Sequence, residues 1–120
     1  MELDDGIVFI CELNNEAEPG DMPQQKLRKL ARHWYGERTV GMSRQYLAKG
    51  VNEQVDLLIR IHYEKTARIG RYAMLGNGEQ FRITNVSTIL DDGTGLKYTE
   101  LTLMRLEDFY DVADEVEAAP

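Results

Sequence analysis

The chain has 120 residues, 42% of them hydrophobic and 29% charged, with a net charge of -7 and a single cysteine. That is one domain's worth of chain, able to bury roughly two thirds of its unfolded surface, and its ordinary globular composition excludes wholesale disorder and fibrous repeats. The longest apolar run is the five residues Ile7 to Cys11, too short to span a membrane.

The acidic start, Met1-Glu2-Leu3-Asp4-Asp5, lacks the basic region of a signal peptide, so export is not expected. Charge is segregated along the chain. Residues 1–25 carry -7, residues 26–105 hold all fourteen Lys and Arg and carry +6, and residues 106–120 carry -6. A mildly basic body between acidic ends suits complementary contacts between neighbouring subunits, and equally suits ends that only aid solubility. The acidic total argues against a general nucleic-acid binder.

In chain order, Gly6 to Leu13 is apolar and β-branched and reads as a buried strand. Its lone Cys11 reads as a small buried hydrophobe in a reducing compartment. Asn14 to Gln25, with Pro19-Gly20 and Pro23, reads as a long exposed loop. Residues 24–40 carry two signals. Leu27, Leu30, Ala31 and Trp34 have helical spacing, whereas His33 to Val40 is rich in strand formers.

Met42 to Lys49, closed by Gly50, predicts one short helix. Val55, Leu57, Ile59, Ile61 and Tyr63 then alternate with polar residues, broken only by Leu58, which predicts a half-buried strand over Gln54–Glu64. Tyr72–Leu75 and Gln80–Val86 flank Gly76-Asn77-Gly78, a hairpin signal. The apolar phase shifts between Ile83 and Val86, predicting a bulge near Thr84-Asn85. Asp91 to Gly95 is a polar loop, and Lys97 to Leu106 is the last predicted strand. The expectation is one domain, mainly β, a small antiparallel β-barrel or sandwich with one short helix and a long loop. Its core covers about residues 6–108, and the acidic end 109–120 is expected to be flexible.

No catalytic or metal-binding constellation emerges. His33 and His62 lack neighbouring ligands for zinc, and the apolar surroundings of Cys11 disfavour a thiolate. The Asp91-Asp92-Gly93-Thr94-Gly95 loop lacks the fixed ligand offsets of a calcium loop, and no Lys-Ser/Thr follows Gly76-Asn77-Gly78 as a phosphate cradle would require. Trp34 and Tyr35 near Arg32 and Arg38, and Phe81 beside Arg82, could form a single-strand-binding face, although so few aromatics are more economically read as barrel filling. The expectation is no enzyme, no metal and no cofactor.

One order of segments goes further. Trp34-Tyr35-Gly36-Glu37-Arg38-Thr39-Val40-Gly41 leads into Ser43-Arg44-Gln45-Tyr46-Leu47-Ala48-Lys49-Gly50. The alternating strand Gln54 to Tyr63, the hairpin to Glu79-Gln80-Phe81-Arg82-Ile83 and the closing Glu100-Leu101-Thr102-Leu103 follow. Over residues 6–110 this order resembles the head-closure, or head–tail joining (adaptor), proteins of long-tailed bacteriophages and prophages. The resemblance implies that residues 26–40 are largely extended. It also implies a ring, usually of twelve subunits, beneath the portal or its adaptor ring, which closes the DNA channel and receives the tail proteins. DNA would pass through without specific binding, at the virion head–tail junction, after assembly in the host cytoplasm. The stopper would correspond to about Gly41–Glu53, with Gly41, Met42, Ser43, Arg44, Gln45, Tyr46, Lys49 and Gly50 as candidate channel residues. Candidate subunit-interface charges are Arg38, Arg68 and Arg71 against Glu107, Asp108 and Asp111. The alternative is a small nucleic-acid-binding barrel of the oligonucleotide-binding type.

Overall fold

Apolar residues at every second position favour a strand with one buried face, and six strands here share a common interior. In the computed structural model, which describes residues 3–15, 20, 25–38 and 56–113, the strands are β1 (Gly6–Asn15), β2 (Gln25–Arg38), β3 (Leu57–His62), β4 (Tyr72–Leu75), β5 (Gln80–Leu90), β6 (Lys97–Arg105) and the short β7 (Asp111–Val112). Pairing runs β1-β4-β5-β6-β3-β2 and returns from β2 to β1, so six antiparallel strands form a closed ring. No helix occurs among the described residues. The predicted helix at Met42–Lys49 and the predicted stopper at Gly41–Glu53 lie outside them.

The ring interior is filled by Val8 and Ile10 of β1, Tyr35 of β2, Ile59 and Ile61 of β3, Ala73 and Leu75 of β4, Phe81 and Ile83 of β5, and Leu101 and Leu103 of β6. Fully burying one such large side chain contributes about 1.5–3 kcal/mol, so this shared interior dominates the fold. Gly6 lies opposite Tyr35, where an added Cβ would come within 3.1 Å of the tyrosine ring. Its missing side chain lets the aromatic ring seat in the interior.

The β2 segment is a strand, not a helix, and its helix-like spacing has a physical origin. Ile10 pairs with Ala31 but Cys11 pairs with Lys29, so Leu30 is an extra residue, a bulge. The bulge changes which face the apolar residues use. Ala31 and Tyr35 belong to the ring interior, whereas Leu27 joins Cys11 and Met74 in a second cluster on the outer face. A strand that serves two cores with one inserted residue places apolar side chains at 27, 30 and 31, which imitates a helical stripe.

The bulge predicted at Thr84-Asn85 is present, since Ile83 pairs with Leu103 and Asn85 with Thr102. The hairpin at Gly76-Asn77-Gly78 is also present, with Gly78 at φ +95, a conformation that L side chains rarely adopt. The alternating strand is shorter than expected, and Asp56 precedes it outside any strand. Tyr63 was expected on its apolar face but lies beyond the ladder and is 51% exposed, whereas the pattern-breaking Leu58 is buried.

Residues 109–113 of the acidic end lie against the body of the fold. Lys26 and Leu27 of β2 pair in parallel with Asp111 and Val112, and the Ala113 N–H donates to the Leu27 carbonyl at 2.8 Å. Tyr110 and Val112 cover the outer cluster around Cys11, and the rings of Tyr72 and Tyr110 meet edge to face. Gln80 fastens this segment: its amide donates to the Tyr110 carbonyl at 2.8 Å and accepts from the Tyr110 N–H at 2.9 Å. No helix among the described residues is long and apolar enough to cross a membrane.

Candidate functional site

Two surfaces concentrate chemistry. The first is the end of the ring where β2 stops and β3 starts. Arg38 and Leu58 are paired neighbours, so residues 39–55 leave from and return to one place on the ring. Carboxylates gather there. Asp5 accepts the Glu37 N–H at 2.6 Å, and Asp56 accepts the Arg105 N–H at 2.7 Å. Glu79 pairs with the Arg105 guanidinium, which also lies over the Phe81 ring at 5.0 Å. Burial, and then the nearby charges of Glu37, Asp5 and Glu79, push the Tyr35 hydroxyl above the usual tyrosine range. Hydrogen bonds from Asn77 and Arg105 hold Glu79 below the usual carboxylate range. The rim is therefore acidic and carries Arg38 and Arg105 among its carboxylates.

The second surface is the outer face of β1 and β2. Ile7 is paired with Trp34 and Phe9 with Arg32, so these four side chains share that face. Two open grooves of about 600 Å³ each run along it, with Ile7 and Arg32 common to both. Trp34 is 56% exposed, and the Lys29 ammonium lies over the Phe9 ring at 4.1 Å. Tyr35 and Phe81 do fill the interior as expected, but Trp34 does not. In a strand, neighbours take opposite faces, so the burial of Tyr35 requires Trp34 to point out.

Inside one edge of this face, His33 Nε2 lies 2.6 Å from Glu64 Oε1, while the Thr66 amide and hydroxyl both donate to Glu64 Oε2. Burial raises the Glu64 carboxyl, but these hydrogen bonds outweigh it and hold the group below its ordinary value. The partner of His33 is 31 positions away, so no local motif announces the pair. His62 is exposed and stacks on Tyr98. On the outer side of β3 and β6, Arg60 and Glu100 are direct cross-strand neighbours, joined at 2.7 Å and mostly buried.

The candidate interface charges are scattered over several elements. Arg38 ends β2 and is exposed, as is Arg68 in the β3–β4 connection. Arg71 is half-buried, donates to the Thr66 carbonyl and lies 3.8 Å from Glu12. Glu107 and Asp108 follow β6, and Asp111 is the exposed first residue of β7. Among the described residues no ion pair joins these arginines to these acids. Cys11 is buried, with its thiol 3.6 Å from the Phe9 carbonyl. No cluster of three or more His, Cys, Asp or Glu that could hold a metal occurs among the described residues.

No protein-family model matches the chain, and neither does any curated protein. A solved structure does. The chain is similar to the solution structure of protein SF1141 from Shigella flexneri 2a, with a TM-score of 0.60 and 13% identity, over 87% of this chain and 94% of that one. At that identity the likeness concerns the fold alone.

Proposed function

We propose that this protein is a structural subunit of a phage head–tail connector, joining a ring beneath the portal or adaptor and closing the DNA channel. The observation that carries the reading is the acidic rim at the end of the ring where residues 39–55 depart and return. A segment of that length, leaving and returning at paired neighbours, can reach about 25 Å out and back. A rim of carboxylates repels the phosphate backbone, which lets DNA slide past without being held. Segregated charge along the chain suits the two complementary faces that a ring member needs.

The test separates folding from gating. With residues 42–49 replaced by a Gly/Ser linker, the subunit folds and joins the ring, but packaged DNA leaks from tailless heads. Heads that retain their DNA as well as wild type contradict the assignment.

One observation favours a second reading, a nucleic-acid-binding module: the exposed Trp34 beside Arg32 on the outer face of β2. Aromatic stacking with a flanking guanidinium is how single strands are gripped without sequence preference. Salt-dependent binding of single-stranded DNA that is lost in Trp34→Ala supports that reading. Absence of binding at low salt removes it.

A further inference from the structure

We propose that the outer half of β5 is a self-complementary edge through which two copies of this chain pair as a two-fold dimer. β4 covers β5 only from Gln80 to Arg82. The β3–β4 connection extends this cover by one residue: the Ile83 N–H donates to the Arg71 carbonyl and the Ile83 carbonyl accepts from Gly70. Beyond the bulge, Asn85 to Leu90 is paired with β6 alone among the described residues.

Edges of this kind are normally blunted by charge, proline or a covering segment. This one reads Asn-Val-Ser-Thr-Ile-Leu, with no charge and no proline. It is a template for another strand.

The backbone specifies which strand. Ile83 turns both its N–H and its carbonyl away from β6, so its pairing with Leu103 is of the non-hydrogen-bonded kind. Alternation past the bulge turns the backbone groups of Val86, Thr88 and Leu90 outward as well. Two such edges in antiparallel register centred on Thr88 place Val86 opposite Leu90, Thr88 opposite Thr88, and Leu90 opposite Val86. Every outward N–H and carbonyl then finds a partner. A register centred on Ser87 would leave the Leu90 groups facing Thr84 at the bulge.

The flanks agree with this register. The hairpin tip carries exposed Leu90 (57%), Leu96 and Asp92, and the β3–β4 connection at the other end of the edge carries exposed Ile69 (66%) and Arg68. Antiparallel pairing brings the tip of each copy against that connection in the other, apolar beside apolar and acid beside base. A two-fold contact cannot be repeated around a cyclic ring, so the inference stands apart from the connector reading. On that reading, ring assembly would have to release the edge.

Sedimentation of the full chain tests it, together with cysteine substitutions. The wild type sediments as a concentration-dependent dimer, and Thr88→Lys, which sets like charges directly opposite each other, sediments as a folded monomer. Under oxidation Thr88→Cys forms a covalent dimer, because paired positions on the axis are about 5.5 Å apart, within disulfide reach. Asn85→Cys, about 20 Å from its counterpart in this register, does not. Circular dichroism matching the wild type shows that each variant is folded. A wild type that stays monomeric up to about 100 μM overturns the proposal. So does a dimer that persists in Thr88→Lys, or one cross-linked by Asn85→Cys and not by Thr88→Cys.

Discussion

Replacing Gln80 by alanine is expected to open a local door over Cys11. Gln80 is only 4% exposed, and its side chain exchanges two hydrogen bonds with the backbone of Tyr110. Tyr110 and Val112 in turn cover the outer cluster of Cys11, Leu27 and Met74. Each hydrogen bond contributes about 1 kcal/mol net, so the substitution costs about 2 kcal/mol. The ring interior does not depend on these bonds, so most of that cost falls on docking of the C-terminal segment rather than on global unfolding. At about 1.4 kcal/mol per factor of ten, the opened population rises about 30-fold.

Cys11 is the only cysteine and is fully buried, which makes thiol labelling under native conditions a direct reporter. The native labelling rate in Gln80→Ala should rise by about that factor, while the urea midpoint followed by circular dichroism shifts far less. Equal labelling rates in the two proteins would refute the reasoning. So would a labelling rate that tracks global unfolding alone.

Three further outcomes are expected. Because Glu64 titrates below its ordinary value in the fold, its contribution is fully present above the unfolded-state pKa and is lost as pH falls through the folded one. Stability curves of wild type and Glu64→Gln should therefore converge toward acid pH, and a constant gap from neutral pH to below the carboxylate range would contradict this. Ile59→Ala, in the middle of the ring interior and 0% exposed, should cost about 2–5 kcal/mol by denaturant titration. Deleting Leu30 removes the bulge and forces either the Cys11–Leu27 cluster or the Ala31–Tyr35 face out of register. Its cost should exceed that of Leu30→Ala, and equal costs would count against the bulge as the device that divides β2 between two cores.

Much of the fold was legible because period-two patterning is a local property. The Gly76-Asn77-Gly78 hairpin and the phase slip at Thr84 could be read from a few adjacent residues. What local reading missed depends on distant partners. The β2 pattern makes sense only once β1 and the outer cluster are both present. The burial of Leu58 depends on where β3 sits in the sheet, not on its own alternation. β7 was invisible because two residues, Asp111 and Val112, carry no periodicity. Its docking rests on Gln80, thirty positions earlier. The same limit applied to the candidate site. His33 and Glu64 carry no motif, and the acidic rim draws Asp5, Glu37, Asp56 and Glu79 from four different parts of the chain. The exposure of Trp34 had a usable signal in the burial of adjacent Tyr35, but one must first know that the segment is a strand.

The connector reading is tested most directly by the mass of the complex formed when the purified chain is mixed with the portal–adaptor assembly of a long-tailed phage. A saturable complex carrying a full ring of copies, one beneath each adaptor subunit, is expected. A chain that remains unbound at saturating concentration, or binds at one or two copies per assembly, contradicts it.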